Sequence, residues 1–203
     1  MTNNEGCDGL PLDNGKNKEQ LIRWAKNINQ AGLPDWDGLP DMDLYMDQVV
    51  TYLEKQLEIC KGPYDEKIIT SSMINNYVKH GTIPPTTKKK YSQRHLAALI
   101  GTCVLKQVLP ISTIGQIIQS EDVAKAKQQM YNDFAKRQNE SVCDDVGEFV
   151  EKIESFDPDD RAKFIDYAAE LAVKSSIQRT LSLRILSELF GGQDEKRSRK
   201  AGK

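Results

Sequence analysis

Seven side chains able to carry positive charge fall within 17 consecutive positions: Lys79, His80, Lys88, Lys89, Lys90, Arg94 and His95. Just ahead of them, Ser71, Ser72, Asn75 and Asn76 are spaced to share one face of a helix. Cations of this kind suit phosphate oxygens, which hold a protein in register on a nucleic acid without reading its sequence. Short hydroxyl and amide side chains suit base edges, and an asparagine can meet adenine through two contacts. The plainer alternative for both sets is a solvated polar face, with Asn75 and Asn76 as ordinary surface residues. Tyr77 and Tyr91 are either core packing or stacking platforms. His95 is either structural or phosphate-facing, and not a catalytic group.

The charge pattern weighs toward the first reading. The net charge is −2, yet residues 67–120 hold no Asp or Glu and seven Lys or Arg. Residues 1–66 are net −7 and residues 121–203 net −2. At the average acid content, roughly 8 acids belong in that central window. Desolvation explains their absence from the apolar stretch Leu96 to Ile118. It does not explain Lys67 to Arg94, which is polar and still free of acids, as a polyanion-facing patch would be.

The elements that must position these residues follow from the apolar spacing, and nearly all are helical. Lys18 to Ala31 carries a stripe of Leu21, Ile22, Trp24, Ala25 and Ile28. Asp43 to about Cys60 repeats the pattern with Tyr45, Val49, Tyr52, Leu53 and Leu57. Thr70 or Ser71 caps a short helix through His80, turning Ile74, Tyr77 and Val78 inward, and Gly81 ends it in a left-handed cap. Pro84-Pro85 and three lysines make Thr82 to Tyr91 a short β-loop. Ser92 then caps a helix His95 to Val108, and Ser112 another to Ser120. Beyond them the pattern predicts helices over Glu121 to about Asn139, Val146 to Ile153, and Asp159 to Phe190. Asp157-Pro158 starts the last and Gly191-Gly192 stops it. Gly-Leu-Pro recurs at 9–11, 32–34 and 38–40 and reads as turns with an anchoring leucine. The expected organisation is a mobile tail at 1–16, a core unit at 17–120, a helical unit at 121–191 and a disordered basic tail at 192–203.

The segment Ser72-Met73-Ile74-Asn75-Asn76-Tyr77-Val78-Lys79-His80-Gly81-Thr82-Ile83-Pro84 resembles the recognition helix and wing entry of MerR transcription regulators. Lys88-Lys89-Lys90-Tyr91-Ser92-Gln93-Arg94-His95-Leu96 is similar to that family's wing exit and following helix, and Leu105 to Ile118 to its next turn and helix. The likeness covers about 50 residues and reaches weakly back over Met46 to Leu57. It departs at Asn75-Asn76, where MerR-type helices usually carry Arg-Tyr. The whole chain also resembles a bacterial family described only as a domain of unknown function with a MerR-like core. The resemblance implies an all-α fold around a winged helix-turn-helix with a small β-wing, binding double-stranded DNA. Ser71, Ser72, Asn75, Asn76, Lys79, His80, Lys88, Lys89, Lys90, Tyr91 and Arg94 would form the DNA-binding set. It further implies dimerisation through a helix after the winged unit, and Asp159 to Phe190, roughly 48 Å long, has an apolar stripe whose partner is either a second copy or the Lys18 helix of the same chain.

Other readings are weaker. The chain has no Gly-x-Ser-x-Gly elbow, P-loop, Gly-x-Gly-x-x-Gly or His-Glu-x-x-His, and its two histidines both sit in the basic segment. No enzyme activity, cofactor or metal site is expected. Asp144, Asp145 and Glu148 read as an exposed acidic first turn, Gly191-Gly192-Gln193 as a helix stop. The cysteines, at 7, 60, 103 and 143, lack metal or redox spacing and read as reduced thiols. No apolar run approaches ~18 residues and no basic-then-apolar leader opens the sequence, so a cytoplasmic location is expected. The alternative function is a protein-interaction adaptor, with the acidic stretch Asp35 to Asp47 or an outside ligand on the basic patch.

Overall fold

A computed structural model describes residues 14–28, 32–62, 67–120 and 124–201, with side chains at 15–28, 32–62, 67–120 and 127–191. The helices are α1 (Asn14–Ile28), α2 (Met46–Gln56), α3 (Ser71–Lys79), α4 (Gln93–Leu105), α5 (Ile111–Gln119), α6 (Ala124–Glu154) and α7 (Arg161–Ala201). The fold is all-α. Among the described residues no strand forms, and extended pairing is limited to two isolated antiparallel bridges, Leu44 with Tyr91 and Thr87 with Lys90.

Two buried clusters organise these helices. In the first, α4 is central: Leu96, Leu99, Ile100 and Cys103 are fully buried, so apolar side chains surround it nearly all the way round. Val49 and Leu53 of α2, Ile74 and Tyr77 of α3, and Tyr131 and Ala135 of α6 pack into the same cluster. Leu33 and Leu39, the leucines of two Gly-Leu-Pro turns, are buried there too; the copy at 9–11 lies outside the described residues. The second cluster joins Ile153 at the end of α6, Phe156 and Tyr167 of α7, with Ile22 of α1 and Phe149 and Phe164 against them.

Polar contacts tie α6 to the segment ahead of α2. Asn139 Oδ1 accepts the Leu33 N–H at 2.7 Å, and its amide donates to the Leu33 carbonyl at 2.9 Å. One heptad earlier, Asn132 Oδ1 accepts the Trp36 N–H at 2.7 Å, and the Tyr131 hydroxyl donates to the Pro34 carbonyl at 3.0 Å. A similar device covers the loop before α3, where Glu54 Oε1 accepts the N–H groups of Ile68 and Ile69 at 3.0 and 3.2 Å. Buried backbone donors left without such partners are costly.

Several sequence expectations change. The separate helices at Glu121 to Asn139 and Val146 to Ile153 are one helix, α6: no proline interrupts 139–145, and Gly147 is tolerated within it. Asp144, Asp145 and Glu148 therefore lie mid-helix, not in a first turn. The start of α7 is set by Asp160, whose Oδ1 accepts the Lys163 N–H at 3.3 Å, rather than by Asp157-Pro158, which form the preceding turn. That helix continues through Gly191-Gly192 to Ala201, because two glycines weaken a helix without removing a hydrogen-bond donor. Residues 14–16, expected in a mobile tail, belong to α1, while 1–13 lie outside the described residues, as does Cys7. The expected β-wing is only a turn closed by one bridge, since Pro84 and Pro85 lack the donors a ladder needs. α1 packs along α6 rather than on the core unit, with Lys18 Nζ donating to the carbonyls of Glu154 and Phe156 at 2.8 and 2.6 Å.

His95 links the start of α4 to the chain after α3. Its Nδ1 accepts the Ser92 N–H at 3.1 Å, and its Nε2 lies 3.4 Å from the Pro85 carbonyl. Burial pulls its pKa below the ordinary histidine value, with Arg94 adding to the effect; the Pro85 carbonyl and Asp43 oppose it. The unfolded chain takes up that proton near pH 6.5, whereas the folded ring resists it until lower pH. Stability from this group is thus complete above about pH 6.5 and lost as pH falls below it. Thermal unfolding between pH 7.5 and 5 should show a declining Tm, and His95→Gln should flatten part of that decline.

Candidate functional site

α3 is short and amphipathic, and its two faces separate cleanly. Thr70 Oγ1 accepts the Met73 N–H at 3.3 Å and caps its start. Gly81, at φ +73°, ends it in the left-handed conformation that glycine adopts without strain. Ile74 and Tyr77 are buried and Val78 is half-buried. Burial, with the neighbouring Cys103 adding to it, pushes the Tyr77 hydroxyl up to about 12, so it stays neutral. With those three seated in the core, Ser71, Ser72, Asn75, Asn76, Lys79 and His80 must face outward, and all six are exposed. The side chains of Ser71, Ser72, Asn75 and Asn76 make no hydrogen bond among the described residues. His80 turns its Nδ1 back to the Asn76 carbonyl at 2.8 Å, leaving the rest of the ring outside.

The chain then crosses Thr82, buried against Gly115 of α5, where a Cβ at position 115 would sit 3.5 Å from the Thr82 Cα. Gln119 of α5 donates to the Gly81 carbonyl. Beyond the prolines, Thr87 and Lys90 close a two-residue turn, the Lys90 N–H donating to the Thr87 carbonyl at 3.0 Å. Its central residues, Lys88 and Lys89, have φ of 52° and 58°. Paired positive φ values are the mark of a type I′ turn, for which Asn-Gly is the favoured sequence. A lysine held left-handed costs roughly 1–2 kcal/mol. Both lysines are exposed at this tip, whereas Lys90 is half-buried with its ammonium 5.2 Å from the centre of the Tyr45 ring.

The candidate set therefore divides. Lys79, Lys88, Lys89 and Arg94 are exposed cations, with the exposed His80 ring among them, in a segment without a carboxylate. Tyr91 is not on that surface: it is 4 % exposed, and its ring meets His95 edge-on at 5.8 Å. Its backbone is committed as well, exchanging hydrogen bonds of 2.9 and 2.8 Å with Leu44. Tyr91 is a packing residue because the bridge to Leu44 turns its side chain into the core. His95 is likewise engaged in structure. Sequence reasoning had no signal for the positive φ values at Lys88 and Lys89, since lysine is not a turn-forming residue.

Cys103 is buried, which pushes its thiol up to about 12, and burial also raises Cys60; Cys143 is exposed on α6. No cluster of three or more His, Cys, Asp or Glu suited to a metal occurs among the described residues. No helix among them is long and apolar enough to cross a membrane.

No curated protein and no solved structure matches the chain. One family model does, over residues 34–137. Those bounds follow the first buried cluster, which runs from Leu33 to Ala135, and leave α1, α7 and the second cluster outside. With half of its length matched, the chain belongs to the family described as Domain of unknown function (DUF1836).

Proposed function

We propose that the chain is a non-enzymatic, DNA-binding transcription regulator acting in the cytoplasm as a homodimer. In this reading α3 enters the major groove in the manner of a MerR-type winged helix, and the Lys88-Lys89 turn is a reduced wing on the phosphates. The single observation that carries it is the Lys88-Lys89 turn: two lysines in strained left-handed conformations at an exposed tip, inside a 54-residue stretch without an acid. Strain of this kind persists where a side chain's function outweighs the better turn former. A helix of nine residues suits a groove about 12 Å wide, and its outward Ser71, Ser72, Asn75 and Asn76 are of the type that reads base edges. Lys79, His80, Lys88, Lys89 and Arg94 would hold phosphates. Lys90 contributes mainly through its contact with Tyr45, and Tyr91 only by packing.

Replacing Lys88-Lys89 with Asn-Gly separates this function from stability. The substitution suits the turn and should raise Tm by several degrees, at about 2–4 °C per kcal/mol for a chain this size. The same variant should bind duplex DNA more weakly at every sequence and flatten the dependence of log affinity on log salt by about 2. Asn75→Ala with Asn76→Ala should instead reduce the preference for one sequence over another while keeping the salt slope. Unchanged DNA affinity in both variants would show that α3 and the turn are not the interface.

The homodimer rests on α7. Val173, Ile177, Leu181, Ile185 and Leu189 recur at four-residue spacing, and each is more than half exposed. Such a contiguous apolar row is unusual on a monomer's surface. A charge at an exposed site leaves the monomer's core untouched, so Ile177→Glu with Leu181→Glu should fold. Sedimentation at tens of micromolar should give a dimer for the natural chain and a monomer for the variant. A monomeric natural chain would contradict the assignment.

A further inference from the structure

An apolar cavity of about 100 Å³ lies between α4, α5 and α6, beside Trp36 and Pro84. Trp36, Pro84, Gly101, Ile117, Met130 and Phe134 form its walls. Tyr131 also lines it, but its hydroxyl is already committed to the Pro34 carbonyl, so it offers only its ring. Arg94 and Lys127 are the charged residues of the lining, with no Asp or Glu there among the described residues. Lys127 Nζ reaches the Ile118 carbonyl at 3.4 Å, while Arg94 is exposed and has no ion pair among the described residues.

Gly101 is the reason the space exists. It sits inside α4, where glycine is destabilising relative to alanine, and a Cβ built on it meets no atom within 4 Å. Protein interiors are normally packed without such gaps, and a dry cavity of about 150 Å³ accepts benzene. The smaller volume here suits part of one ring or a short alkyl chain, with the remainder of the molecule at the mouth.

We propose that this cavity binds a small monocarboxylic acid bearing one aromatic ring or a short alkyl chain. The apolar end lies among Trp36, Met130 and Phe134, and the carboxylate meets Arg94, whose planar guanidinium matches it through two hydrogen bonds, with Lys127 close by. No residue of α3 lines the site, which shares only Arg94 with the proposed phosphate contacts, and it can be tested without DNA.

Isothermal titration of the full chain with benzoate, phenylacetate and hexanoate, each beside its amide, decides the matter. At least one acid should bind saturably, with its amide about tenfold weaker. Gly101→Leu should fill the space, melt no lower than the natural chain and abolish binding. Arg94→Gln, at an exposed position that does not threaten the fold, should bring the acid down to the level of its amide, and it keeps the test decisive if Gly101→Leu fails to fold. The proposal is overturned if no acid binds, if acid and amide bind equally, or if a folded Gly101→Leu binds as well as the natural chain.

Discussion

The reciprocal backbone pair between Leu44 and Tyr91 is the constraint on which the basic surface depends. Each residue donates its N–H to the other's carbonyl, and both side chains are buried. The pair lies two residues before α2 on one side and two before α4 on the other, so it fixes both helix starts against each other. The chain leaving α3 must therefore loop out and return to this point, and the Thr87–Lys90 turn is where it reverses. Tyr91 then supports His95 edge-on, and His95 holds the Pro85 carbonyl. A small set of buried contacts thus holds an exposed, strained, doubly charged tip.

The second dependence is on α6. At 31 residues, roughly 46 Å long, it belongs to both buried clusters. Asn132, Asn139 and Tyr131 tie its first half to the segment at 33–36, and Phe149 and Ile153 carry its far end to α1 and α7. Trp24 of α1 meets Phe149 edge-on at 6.2 Å, and Phe149 stacks on Tyr167. Along much of α7 beyond Tyr167 the side chains are exposed. Arg179 Nε donates to the Val108 carbonyl at 2.9 Å, and the exposed apolar row of the helix is the natural place for a second copy to pack, as the dimer proposal requires.

Much of the local structure was legible in the sequence because it rests on short-range chemistry. The Thr70 cap, the left-handed Gly81, the Ser92 start of α4 and the inward set Ile74, Tyr77 and Val78 all follow from residue type and spacing. What escaped the sequence depends on distant partners. The joining of two expected helices into α6 gives no local signal, because residues 139–145 are neutral toward helix rather than opposed to it. The move of α1 onto α6 is decided by Ile22 and Trp24 finding aromatic partners more than 100 residues away. Of the candidate site, the outward polar residues of α3 were legible from periodicity. The burial of Tyr91 was not, since it follows from the bridge to Leu44, and neither was the left-handed turn of two lysines, which runs against their local preference.

The central claim is that the surface formed by α3 and the Lys88-Lys89 turn binds duplex DNA. Fluorescence anisotropy with labelled duplexes, one random and one from the region upstream of the protein's own coding sequence, tests it most directly at about 50 and 200 mM salt. Binding that weakens steeply between the two salts, and favours the upstream duplex, is the predicted result. Absence of binding to either duplex at the lower salt would contradict it.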